Sequence, residues 1–161
     1  MLRVYLDSSA LVKRYVSEPG SSGVDYVFDK GWAGEVSIIS SIWNIGEVLG
    51  VLDERRRRGW LSKSEFKKVL EGFASETVRL IRLKVLEMFP VLTPIIIEAW
   101  PLILNEHIYE ADALQIQTCM RSGSNLLLSG DKELVNVALK AGLKAINVKD
   151  EDKVKESFNE E

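Results

Sequence analysis

Four carboxylates carry the chemical interest of this 161-residue chain: Asp7, Glu47, Asp112 and Asp131. Asp7 follows the apolar residues Leu2, Val4 and Leu6, and Glu47 borders an apolar stripe formed by Ile45, Val48, Leu49 and Leu52. Both are awkward places for an unpaired charge, because a buried carboxylate needs a partner or a metal. Carboxylates brought within a few ångströms raise one another's pKa, so a set of them stays ionised only beside a cation. All-oxygen ligation suits Mg²⁺ or Mn²⁺ rather than zinc, and Mg²⁺ keeps several waters and takes only a few protein carboxylates. The chemistry open to such a site is metal-assisted hydrolysis of a phosphodiester, with water as the nucleophile.

The elements that position these acids follow from the apolar pattern. Leu2, Val4 and Leu6 alternate with Arg3 and Tyr5, which predicts a strand ending at Asp7. Glu18 to Gly23 reads as a turn, and Val24 to Asp29 as a short helix. Val36 to Ile39 reads as a second strand, with Ser40 and Ser41 placed to cap the next helix, which carries Glu47. Ser62 and Glu65 form a capping-box pattern ahead of Phe66, Val69, Leu70 and Phe73. Phe89 to Leu92 is expected as a third strand, followed by Thr93 as N-cap, Pro94 as first helical residue, and a kink at Pro101. A further helix from near Glu110 puts Asp112 in its first turn, where the macrodipole welcomes negative charge. Leu126 to Leu128 reads as a strand that delivers Asp131, Lys132 to Ala141 as a helix closed by Gly142, and Ala145 to Val148 as a last strand. Strands separated by helices imply an α/β fold, a central parallel sheet covered on both faces, whose carboxyl edge is the place for a ligand. Asp7 and Asp131 fall on that edge.

Composition sets the bounds. At 46% hydrophobic and 28% charged, the chain suits one domain across residues 1 to 161, with the acidic stretch from 150 onward expected as a frayed tail. The lone Cys119 permits no intrachain disulfide and reads as a small buried residue of a protein in a reducing cytoplasm. No secretory signal is expected, and the greasiest stretch, Met88 to Ile97, is half of the roughly 20 residues that a membrane helix needs. The net charge of −3 hides an asymmetry: residues 55 to 84 hold ten Lys or Arg against three Glu. The run Arg55 to Arg58 reads either as a solvated helix end or as a phosphate-contacting patch. His107 lacks the Cys or His partners of a zinc site. Trp32, Trp43, Trp60 and Trp100 read as core or interface anchors rather than base-stacking platforms.

Four segments carry a resemblance. VYLDSSALVKRYVSEPGS, NIGEVLGVL, EADALQIQT and LLLSGDKELVNVALKAGLKAINV resemble, in order, the acidic motifs of PIN domains, with Gln115 and Ile116 where a His-Leu pair is usual. The resemblance covers residues 2 to 148 and implies a three-layer α/β/α sandwich in which Asp7, Glu47, Asp112 and Asp131 are the catalytic and metal-binding acids. Ser9 and Ser129 occupy polar positions often found beside them. It further implies an endoribonuclease dependent on Mg²⁺ or Mn²⁺, similar to VapC-like toxins of toxin-antitoxin pairs, with RNA as substrate, a small antitoxin protein as partner and a homodimeric free state. The basic helices between 60 and 90 are then candidates for the dimer or antitoxin surface. Two other readings stand beside it. An aspartyl-phosphate phosphatase would want a second acid two residues after Asp7, where Ser9 stands. A PIN-like or receiver-like module would bind metal without cleaving anything.

Overall fold

A computed structural model describes residues 1–159; Glu160 and Glu161, the end of the expected tail, lie outside the described residues. Five strands form one parallel sheet: β1 (Leu2–Leu6), β2 (Val36–Ser41), β3 (Leu86–Phe89), β4 (Leu126–Ser129) and β5 (Ala145–Asn147). Their spatial order is β3-β2-β1-β4-β5. The chain starts in the middle, winds outward through β2 and β3, then returns to the other side of β1. The crevice at the carboxyl ends of β1 and β4 is therefore the topological switch point, where ligands of open α/β sheets bind.

Both faces of the sheet are covered, so successive residues of a strand are buried on opposite sides. Val4 and Leu6 join one apolar cluster while Tyr5 joins the other. The first cluster takes side chains from α1 (Ser8–Tyr15), α2 (Ser21–Trp32), α3 (Ile42–Arg57), α4 (Lys63–Arg82) and, at the chain's end, α8 (Glu151–Glu156). The second takes them from α5 (Thr93–Glu106), α6 (Glu110–Arg121) and α7 (Lys132–Lys140). The result is the three-layer α/β/α sandwich with a central parallel sheet. No helix among the described residues is long and apolar enough to cross a membrane.

Several expectations shift. The third strand is Leu86–Phe89 rather than Phe89 to Leu92, because Pro90 has no N–H to give to a ladder and ends the strand. Leu92, not Thr93, precedes the first turn of α5, and the helix runs on through Pro101. The short helix expected at Val24 to Asp29 extends over Ser21–Trp32. Ser41 alone caps α3, by accepting from the Trp43 N–H, while Ser40 donates to the Leu6 carbonyl at 2.8 Å. Leu49 is not part of the core-facing stripe of α3: it is exposed, and Asn44, Val48 and Leu52 form that face. The stretch from 150 is helical where a frayed tail was expected, capped by Asp150 and held by the fully buried Val154. The capping box of Ser62 and Glu65 is present at the start of α4.

Candidate active site

Asp7 is the first residue after β1 and the N-cap of α1. Its carboxylate is buried and densely hydrogen-bonded. Oδ1 accepts from the Ala10 N–H and from Ser9 Oγ, each at 2.8 Å, and Oδ2 accepts from Ser129 Oγ at 2.6 Å. Each serine hydroxyl has one proton, and both protons are directed at Asp7. The serine oxygens then accept in turn: Ser9 Oγ from the Gly130 N–H at 2.7 Å, and Ser129 Oγ from the Asp131 N–H at 2.9 Å. Two hydroxyls thus lock the loop after β4 onto the loop after β1. Even so, burial outweighs these bonds and, with Glu47 adding repulsion, pushes the Asp7 carboxyl from 3.8 to about 6.

Asp131 caps α7, its Oδ1 accepting from the N–H groups of Glu133 and Leu134, and it is exposed. Glu47 lies on α3, half-buried, and accepts a hydrogen bond from Gln115 Nε2 at 2.9 Å. Asp112 lies in the first turn of α6, also half-buried; burial first, then Asp131, Glu47 and Glu133, raise its carboxyl from 3.8 to about 6. The sheet edge therefore brings the four sequence-derived acids within electrostatic reach of one another. Asp7 couples to Glu47 by charge and to Asp131 through Ser129, and Asp112 couples to both Glu47 and Asp131. Their exposure is graded, with Asp7 buried, Glu47 and Asp112 half-buried, and Asp131 exposed.

Three residues near these acids escaped sequence reasoning. Glu133 adds a fifth negative charge beside Asp112; its signal was an acid two positions after Asp131 in the same helical turn. Asn44 and Tyr5 reach Glu47 through Gln115. Tyr5 Oη donates to Gln115 Oε1 at 2.6 Å, and Gln115 Nε2 donates to Asn44 Oδ1 as well as to Glu47. A polar Asn44 at helical spacing with Val48 and Leu52 was the readable sign.

The donor set suits a hard divalent cation. All the donors are oxygens, and none of the ion pairs found among the described residues involves Asp7, Glu47, Asp112 or Asp131. Among the described residues, no group of three or more Asp, Glu, His or Cys side chains is placed to hold a metal ion. The Arg55 to Arg58 run is engaged within the chain: Arg55 binds Glu18, Arg57 binds Asp53, and Arg58 binds Glu54. Two surface concavities also lie elsewhere, one lined by Leu2, Val36, Asn125 and Phe158, the other between α7, β5 and α8.

The sequence profile of the PIN domain matches residues 4–140. Three solved structures share the fold. VapC20 of Mycobacterium tuberculosis, described as a sarcin-ricin loop cleaving toxin, is 16% identical with a TM-score of 0.61, over 87% of this chain and 95% of that one. VapBC2 of Rickettsia felis, solved with a promoter DNA fragment, is 12% identical with a TM-score of 0.61, over 91% and 98%. FitAcB of Neisseria gonorrhoeae is 14% identical with a TM-score of 0.64, over 90% and 97%. No curated protein matches the chain by sequence.

Proposed function

Since the chain belongs to the PIN domain family, we propose that it is a single-domain endoribonuclease that uses Mg²⁺ or Mn²⁺ to hydrolyse RNA phosphodiesters, and that it is the toxin of a toxin-antitoxin pair. The observation that carries the reading is the group of acids at the switch point, two of them raised to about 6, with no ion pair to a cationic side chain among the described residues. When bound, the cation neutralises charge on the phosphodiester and lowers the pKa of an attacking water. Asp7, Glu47, Asp112 and Asp131 are the residues that would hold it. The protein's own part is positioning. Ser9 and Ser129 fix the Asp7 carboxylate from both sides, and the exposed Asp131 leaves the site open to a polymer strand. The toxin reading, and with it a small antitoxin partner, is supported by VapC20, described as a toxin, which shares the fold. Exposed apolar residues on α5, Ile97, Trp100 and Leu104, offer a surface for that partner or for a second copy in a homodimer.

The test is cleavage of a labelled RNA with and without Mg²⁺ or Mn²⁺, by the wild type and by Asp7→Asn and Asp112→Asn. Cation-dependent cleavage, lost in both folded variants, is expected. Cation binding without cleavage of RNA would instead favour a module of this fold that holds metal and cuts nothing.

A further inference from the structure

Gln115 sits at the centre of a buried chain of hydrogen bonds whose direction is fixed at one end. The Leu6 carbonyl can only accept, and it takes Asn44 Nδ2 at 3.1 Å and Ser40 Oγ at 2.8 Å. Asn44 must therefore turn Oδ1 toward α6, where it accepts from Gln115 Nε2. That in turn leaves Gln115 Oε1 to accept from Tyr5 Oη at 2.6 Å. With its amide so oriented, Gln115 has one N–H left, and it goes to Glu47 Oε2 at 2.9 Å. Gln115 and Asn44 are buried, at 3% and 0% exposure, and Tyr5 is fully buried. Reversing the Gln115 amide would face its carbonyl oxygen against both the Glu47 carboxylate and Asn44 Oδ1, and it would leave its NH₂ opposite the tyrosine hydroxyl.

We propose that Gln115 is the positioning residue for Glu47: the Tyr5–Gln115–Asn44 chain holds one donor at a set place, and that donor fixes the carboxylate toward the acidic site. The same chain ends on the Leu6 carbonyl, the peptide that leads into Asp7, so β1, α3 and α6 are tied at the level of the site. A neutral donor suits the task. It orients the carboxylate without placing a formal positive charge beside an acid intended for a cation. An apolar residue here would leave Glu47 to choose its own rotamer, and a glutamate would replace donors by acceptors. The consequence for cation binding rests on the nuclease reading above; the clamp itself does not.

Loss of a group that orients a metal ligand commonly lowers metal affinity by 10- to 100-fold. The experiment is a double-mutant cycle in the full-length protein, comparing wild type, Gln115→Met, Glu47→Gln and the double variant. Mn²⁺ affinity is read from the free-ion electron paramagnetic resonance signal, and the melting temperature is read without metal. Gln115→Met keeps the length and volume of the side chain, and Tyr5→Phe provides a second, milder disruption from the far end of the chain. Gln115→Met is expected to weaken Mn²⁺ binding about 10-fold or more in the presence of Glu47 and to have little further effect once Glu47→Gln is made. Tyr5→Phe should move affinity in the same direction by less. Equal losses in both backgrounds, or no loss from Gln115→Met, would overturn the assignment. A wild type that binds no Mn²⁺ sinks the metal reading instead; the clamp is then supported by non-additive melting temperatures and overturned by additive ones. In the wild type and Glu47→Gln, the side-chain amide resonances of Gln115 give a direct check: they must shift on Glu47→Gln, and unmoved signals contradict the contact.

Discussion

Replacing Asp7 by Asn should stabilise the fold at neutral pH while disabling the site. Asp7 is 3% exposed, and burial, the largest influence, carries its carboxyl from 3.8 to about 6 against the opposing pull of Ser129, Ala10 and Ser9. A displacement of that size corresponds to about 3 kcal/mol against the ionised form in the folded state. The direction with pH follows from which state releases its proton first. Below about pH 4 both states are protonated and Asp7 contributes nothing. As the pH rises, the unfolded chain ionises first, and folding loses stability steadily until the folded carboxyl also ionises near 6. Above that the full penalty applies. Asparagine escapes it. Asn is as good an N-cap as Asp, its Oδ1 can still accept from Ala10, and the two rotatable hydroxyls can accept from its NH₂.

The assay is thermal unfolding of wild type and Asp7→Asn in chelator, near pH 4 and near pH 7.5. At the higher pH the variant should melt higher by roughly 6–12 °C, since each kcal/mol moves the midpoint of a chain this size by about 2–4 °C. Near pH 4 the gap should close. Asp112→Asn should behave in the same sense but more weakly, because that carboxyl is half-buried. A variant that is less stable at pH 7.5, or a gap that does not change between the two pH values, would refute the claim that Asp7 is held in the fold at a cost.

Three more outcomes can be checked. Millimolar Mn²⁺ should raise the melting temperature of the wild type by mass action and that of Asp131→Asn much less; equal shifts remove Asp131 from the site. Gly130→Ala places a Cβ 2.8 Å from Lys13 Cε and 3.3 Å from Ser9 Oγ. The lysine stem is buried and its ammonium is held by Glu18 at 2.6 Å, so it has little room to yield, and urea unfolding should show a loss of about 1–3 kcal/mol. Glu18→Gln removes the shared partner of Lys13 and Arg55, whose side chains are only 6% and 18% exposed. The loss should be about 1–3 kcal/mol, below that of a fully buried pair because Glu18 itself reaches solvent; a midpoint unchanged by added salt or by the substitution would show the triad to be incidental.

What the sequence made readable was whatever local chemistry dictates. Strands β1, β2 and β4 are short apolar runs stopped by polar residues, and Asp7, Ser41, Ser62 and Asp131 are caps whose side chains bond the next turn. The acids at strand ends could be placed on one edge for that reason. The third strand was misplaced because LEMFPVL is apolar apart from Glu87, and pairing with β2, Ile38 opposite Leu86 through Ser41 opposite Phe89, fixes its register. Helix α8 was hidden because a single apolar residue, Val154, anchors it in an acidic stretch, helped by Phe158 edge-on to Tyr26 at 5.6 Å. The Tyr5–Gln115–Asn44 chain is a property of three elements meeting, 110 residues apart at its widest bond, and no spacing within one segment announces it.

The strongest alternative for the acidic residues is that each merely serves its helix. For Asp7 and Asp131 that service is real, since both cap. It falls short even there: both helix amides go to Oδ1 of Asp131, and no hydrogen bond found among the described residues engages its Oδ2. Asp112 decides the matter. It lies in the first turn of α6 but caps nothing, and the N-cap position is Tyr109 without a side-chain bond. A helix N-terminus favours a carboxylate by about 0.3–1 kcal/mol, which would hold its carboxyl at or below the ordinary value. Instead it is raised to about 6, by burial and by Asp131, Glu47 and Glu133 together. The macrodipole has been outweighed by burial first, and then by neighbours that the fold delivers from α3 and α7. Such an arrangement is what the proposed cation would complete.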